Sequence, residues 1–232
     1  MFKHLLTLSF TILCFSVTGQ NPIGNLDDYL QQAIDDMPGK GGNDLQKSNN
    51  SELAIWERTV NFITNNQITQ ARASADSIGY KVLSFTDTTM AQDETFQVLQ
   101  EETPAQNHWG IYLFNPDACR DQLVLQSPHP KFDLNTGDEA VFCFKRLSAK
   151  ALFLSGTHRC NHSDISPCSG TTSVCSGSDE PYRISDMAHN KETVFQRTTS
   201  ILKDDASNPT FVQLHGFAKD PDDPFVIMSN GT

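Results

Sequence analysis

Basic residues are scarce in this chain. Lys and Arg together number 17 against 28 Asp and Glu, which gives 232 residues a net charge of −11 and an isoelectric point near 4.9. A chain this acidic has no electrostatic route to a phosphate backbone or an anionic lipid surface, so nucleic-acid and membrane partners are excluded. Beyond the first 17 residues no apolar run is long enough to span a bilayer, and there is no internal repeat. No G-x-S-x-G elbow or Walker loop occurs, which removes the best-known serine-hydrolase and P-loop nucleotide chemistries. Aromatic residues, by contrast, are present in force. Fifteen Phe and 2 Trp offset a mean hydropathy of −0.40 and argue for a packed core rather than a disordered chain.

The first residues read as a leader. Met1 to His4 is a short basic start, Leu5 to Val17 is an apolar run of signal-peptide length, and Val17-Thr18-Gly19 offers small residues for cleavage. Residues 1–19 are therefore expected to be a signal peptide, and the mature protein to be secreted or periplasmic. The cysteines agree with export. Cys160, Cys168 and Cys175 crowd a Ser-, Gly- and Thr-rich stretch that cannot build a core of its own, as expected of a disulfide-stapled loop. A zinc knuckle is the rival reading, but the spacings match no C-x₂-C pattern. Removing Cys14 leaves five cysteines, so one is unpaired: either Cys143, buried between Phe142 and Phe144, or a thiol whose partner lies outside the chain.

From Asn25 the apolar spacing predicts a helix ending near Gly39, and from Ser51 a second helical region continuing through Ala71-Arg72-Ala73. These form a helical N-terminal segment over residues 20–78. After Gly79 short β-like runs alternate with helices. Strands are predicted at 81–85, 95–99, 109–114, 122–126, 151–155, 210–214 and 225–228, with helices at 137–147 and 185–202. The fold expected over 79–232 is α/β, a mixed and largely parallel sheet with flanking helices of the phosphorylase/hydrolase-like kind.

Three of these strands run directly into histidines. LVLQ leads into Ser127-Pro128-His129-Pro130, ALFLS into Gly156-Thr157-His158-Arg159, and FVQL into His215-Gly216-Phe217. Ligands bind at the carboxyl edge of open α/β sheets. Imidazoles converging there suit zinc, which takes three protein ligands in a catalytic site and keeps a fourth position open. Any one of these histidines also has a plain reading, as a hydrogen-bonded loop residue. Asp133, four residues after His129, is either a helix cap or a carboxylate ligand. Asp186 reads as an acid in the first turn of the helix at 185–202, and His189 as a surface or a site residue.

Ser127-Pro128-His129 with Asp133, followed by Leu214-His215-Gly216, resembles the zinc core shared by N-formylglutamate amidohydrolases, poly-γ-glutamate hydrolases and zinc carboxypeptidases. The resemblance covers about residues 110–232. It implies His129, Asp133 and His215 as zinc ligands, with His158 as the alternative third ligand because the usual acid is a Glu at a slightly different spacing. It also implies His158 and Arg159 as binders of a substrate carboxylate. Those families place a Glu base after the last His ligand. Here no Glu comes after His215, and Asp220, Asp222 and Asp223 sit in a Pro-rich turn whose other reading is a calcium site. With the odd cysteine and the ending at Ser229–Thr232, this leads to an expectation that the α/β domain is C-terminally incomplete. The function expected is an exported zinc-dependent hydrolase of an amide bond in a peptide-like or acyl-amino-acid substrate. The alternative is a secreted, disulfide-stapled binding protein of the same fold without catalysis.

Overall fold

Asn25 and Asn49 open the first two helices. In the computed structural model, which describes residues 21–205 and 207–229, Asn25 accepts a hydrogen bond from the Asp27 N–H at 3.0 Å. Asn49 completes a capping box with Glu52. The expected signal peptide lies outside the described residues. In chain order the elements are β1 (Ile23–Gly24), α1 (Leu26–Asp35), α2 (Asn50–Thr64), α3 (Ile68–Asp76), β2 (Tyr80–Asp87), β3 (Glu94–Glu101) and β4 (Ile111–Phe114). Next come β5 (Arg120–Ser127), α4 (Thr136–Leu147), β6 (Ala149–Leu154), β7 (Thr171–Thr172), β8 (Glu180–Pro181), α5 (Val194–Asp205) and β9 (Thr210–Gln213). The helical region expected to run unbroken from Ser51 through Ala73 is two helices. It breaks at Asn65–Gln67, where Asn66 takes a left-handed φ of 57°.

The fold is mixed α/β. Seven strands form one sheet in the order β1-β2-β3-β4-β6-β5-β9. The pairs β2–β3, β3–β4 and β4–β6 run antiparallel, whereas β1–β2, β5–β6 and β5–β9 run parallel. Successive strand residues serve opposite layers, as the pleat requires. Tyr112 and Phe153 face a core with α2, α3 and α5, while Leu113 and Leu152 face a second core with α1 and α4. At the centre of the first core Trp56 lies 4.9 Å, ring to ring, from both Tyr80 and Tyr112. Its indole N–H donates to the Thr198 hydroxyl at 2.8 Å, so the largest side chain there leaves no polar atom unpaired.

One ionic tie stands out in the second layer. Lys145, in the last turn of α4, is buried with its Nζ 2.8 Å from Asp87 Oδ2 and 2.5 Å from Asp27 Oδ2. Asp87 ends β2 and is itself fully buried. Burial opposes its ionisation, but hydrogen bonds from Lys145 and Thr89 outweigh that and hold the carboxyl below its ordinary value. The tie thus joins strand, first helix and fourth helix.

Three expectations are corrected at this level. The helix expected at 185–202 begins only at Val194, because the preceding residues satisfy their polar groups locally. Asn190 Oδ1 accepts from Glu192 N–H at 3.0 Å, and Thr193 Oγ1 accepts from Gln196 N–H at 3.1 Å, a cap that starts the helix there. The apolar run 225–228 is not a strand; it is exposed, since no neighbouring strand among the described residues offers it a ladder. Cys143 is only half-buried, and Phe142 beside it is largely exposed.

The Cys-rich loop is stapled as expected. Cys160 is bonded to Cys175, closing 15 residues, and Cys168 is a free, half-buried thiol. Asn161, which opens a glycosylation sequon, is fully buried and therefore not an accessible acceptor. Its Oδ1 accepts from the Asp44 and Leu45 N–H groups, and its Nδ2 donates to Gly39 O and Asp44 Oδ2. Peptide mapping of non-reduced protein should recover Cys160 linked to Cys175, with Cys168 open to alkylation. Reduction should lower stability by about 3 kcal/mol, the chain-entropy value for a loop of this length. A Cys160–Cys168 link would contradict the arrangement.

Candidate metal centre

Three parallel strands, β6, β5 and β9, lie side by side, so their carboxyl ends share one edge of the sheet. His158 comes after the first, His129 and Asp133 after the second, and His215 after the third. Beyond β5 the chain makes a helix-like turn in which the Asp133 N–H donates to His129 O at 3.0 Å and the Thr136 hydroxyl donates to Asp133 O at 2.9 Å. That i, i+4 turn puts the imidazole and the carboxylate on one side. Gly216 closes the site from β9, its N–H donating to Asp133 Oδ2 at 3.1 Å. A Cβ there would lie 3.1 Å from that of Asp133, so a larger residue would push the two segments apart.

One ligand atom each from His129, Asp133 and His215 lies within 4.8 Å of the others. Asp133 Oδ2 is 3.2 Å from His129 Nδ1 and 3.5 Å from His215 Nδ1. Ligands on a tetrahedral ion with bonds of about 2.0–2.1 Å stand roughly 3.3–3.4 Å apart, so both separations match. The hydrogen bonds select the same nitrogens. His129 Nε2 faces Asp186 Oδ1 at 3.0 Å, and His215 Nε2 faces Gln213 Oε1 at 3.3 Å. Protons on those nitrogens would leave both Nδ1 lone pairs facing the Asp133 carboxylate. Lone pairs opposed in this way repel unless a cation lies between them. The donor set therefore fits a metal ion.

Electrostatics disfavour the charged form of both rings. Burial lowers His129, with Asp186 only partly opposing it. Burial, together with the charges of His129 and Arg159, pushes His215 down to about 4. Asp186 is nearly fully buried, which opposes ionisation, yet its contacts with His129 and His189 outweigh this and pull it well below the usual carboxylate range.

The other expected site residues lie around this group rather than in it. Arg159, expected to take a substrate carboxylate, is committed to the protein's own: its Nη2 is ion-paired with Asp133 Oδ1. A nearly buried carboxylate needs such a partner. His158 is half-buried, its ring 4.2 Å from that of Phe132, and its Nδ1 accepts from the Cys160 N–H at 2.8 Å. It stands outside the three-ligand group, in which Asp133 holds the third place.

The residue that sequence reading misses is Asp186, while it leaves His189 open as a surface or a site residue. Asp186 is not a helix-end acid but sits beneath His129, and its Oδ1 is also 3.2 Å from His189 Nδ1. Among the described residues no helix is long and apolar enough to cross a membrane. Compared with protein-family models, curated proteins and solved structures, the chain matches none.

Proposed function

We propose that this protein is an exported zinc-dependent hydrolase of an amide bond in a peptide-like or acyl-amino-acid substrate. The observation that carries the reading is the convergence of His129, Asp133 and His215, with matched separations, at the carboxyl edge of parallel strands. Their similarity in order to the zinc core of the amidohydrolase and carboxypeptidase group supports the choice of zinc and of an amide substrate. The Cys160–Cys175 bridge supports an oxidising compartment.

His129, Asp133 and His215 would hold the ion, leaving a fourth position open. Zinc in such a site supplies an acidified water and polarises the scissile carbonyl. The chain's own groups hold the ligands still: Asp186 orients His129, Gln213 orients His215, and Arg159 with the Gly216 N–H fixes Asp133. Because Arg159 holds Oδ1 of Asp133, Oδ2, which also accepts from the Gly216 N–H, is the oxygen that would be offered to the ion.

Metal analysis of purified protein is the direct test. About one zinc per chain, with zinc-dependent cleavage of N-acyl amino acids or short peptides, is the expected result. Protein that neither contains nor takes up a transition metal would sink the reading. Stoichiometric zinc with no turnover on any amide would favour the binding-protein alternative.

A further inference from the structure

Gln126 is an amide at a position where an apolar side chain would serve the core. It stands near the end of β5 and is fully buried. Burying an amide costs stability unless its polar atoms are paired, and here both are. Gln126 Nε2 donates to the Thr199 hydroxyl of α5 at 2.7 Å, and Gln126 Oε1 accepts from Gln213 Nε2 at 2.9 Å. Gln213 is its register partner on β9, so the pleat puts the two side chains on one face of the sheet. Gln213 Oε1 in turn meets His215 Nε2 at 3.3 Å. At the other end the Thr199 hydroxyl donates to Phe195 O at 3.1 Å, one turn back in α5. Thr199, Gln126, Gln213 and His215 thus form one unbroken hydrogen-bonded chain, from a helix backbone to a candidate metal ligand.

The chain has a direction. A backbone carbonyl can only accept, so Phe195 O draws the Thr199 proton and leaves that hydroxyl oxygen to accept from Gln126. Gln126 then offers its carbonyl oxygen to Gln213, and Gln213 offers its own to His215. Turning over either amide alone would set N–H against N–H or oxygen against oxygen, so the two amides hold one sense together. An acceptor opposite Nε2 calls for the ring proton there and leaves Nδ1, 3.5 Å from Asp133 Oδ2, without one. The selection uses neutral groups throughout. The His215 side chain is itself 40% exposed, and water can donate to or accept from either ring nitrogen, so the preference has to come from the buried end of the chain. We propose that Gln126 and Thr199 are positioning residues that select which nitrogen of His215 is offered to a metal ion. The inference rests on the metal-centre reading above.

Long-range ¹⁵N–¹H NMR of the metal-free full chain reads the tautomer, and Co²⁺ titration reads the affinity. In the wild-type protein the His215 proton should be on Nε2. Thr199→Val removes the anchor, and Gln126→Leu cuts the chain while keeping the buried position filled with a side chain of similar size. Both variants should show a mixture of His215 tautomers and bind Co²⁺ about tenfold more weakly, the lower end of the usual cost of a lost outer-shell partner. Thr199→Ser keeps the hydroxyl and should restore both properties, whereas a side chain that mattered only for packing would not be rescued by losing its methyl group. A wild-type ring protonated on Nδ1, or Thr199→Val and Gln126→Leu proteins with the wild-type tautomer and Co²⁺ affinity, overturns this inference alone. A wild-type protein that binds neither Co²⁺ nor zinc overturns the metal reading and this inference with it.

Discussion

His215→Ala protein should emerge from dialysis without zinc, under conditions expected to leave the wild-type protein loaded. In the proposed centre His215 would supply one of three protein ligands, and losing it would leave two, short of what a catalytic zinc site uses. Removing an outer-shell partner costs about 10–100-fold in affinity, so removing a ligand should exceed that range. His215 is the best of the three to change because its side chain is 40% exposed, whereas His129 is fully buried and its truncation would also open a cavity. The control is His158→Ala, which removes an imidazole from the same sheet edge but from outside the ligand group, and should keep the metal. Isothermal titration of both proteins decides the matter. Equal, full occupancy in the two variants would refute the ligand assignment.

The largest stability effect is expected at Lys145. Replacing it by Met removes the ammonium that faces the buried Asp87 carboxylate, and breaking a buried pair from one side costs about 3–5 kcal/mol. The double variant Lys145→Met/Asp87→Asn should recover much of that loss, because no uncompensated charge remains. Acid gives the same information in the wild-type protein. Asp87 is held below its ordinary value when folded, so its contribution is fully present above the unfolded value of about 4 and is lost as pH falls through the lower folded value. Urea melts at pH 7 and between pH 4 and 2 would measure both effects. A Lys145→Met protein as stable as the wild type would show that Asp87 finds adequate partners in Thr89 and the Leu26 N–H.

How much was legible in the sequence depends on the range of the forces involved. Asn25 announces its helix because capping acts over two or three residues. The ends of β5, β6 and β9 could be read because a run of strand residues leading into Pro or Gly is a local signal, and His129, His158 and His215 came with them. Asp186 could not be read this way. Its meaning depends on His129, 57 residues earlier, and nothing near Asp186 in the sequence marks it as buried. The part expected of Arg159 differed for a related reason: the strand ending places the residue, but not the direction in which its guanidinium points. At 225–228 apolar character suggested a strand, yet a strand needs a partner, and partnership is settled across the sheet rather than along the chain.

The position of β9 has a consequence for how the protein would respond to a metal ion bound at the proposed centre. This four-residue strand hangs on the sheet by β5 alone, among the described residues, and it is mostly exposed. Peripheral strands open first in local unfolding. An ion shared by His215 and Asp133 would clamp that strand to a turn far earlier in the chain, across the sheet edge rather than along it. By mass action a ligand at 100 times its Kd stabilises the state that binds it by about 2.7 kcal/mol. Amide exchange along residues 210–214 should therefore slow sharply when zinc is added, while the Trp56 core hardly responds. Occupancy of the centre would be written in the protection of a single peripheral strand.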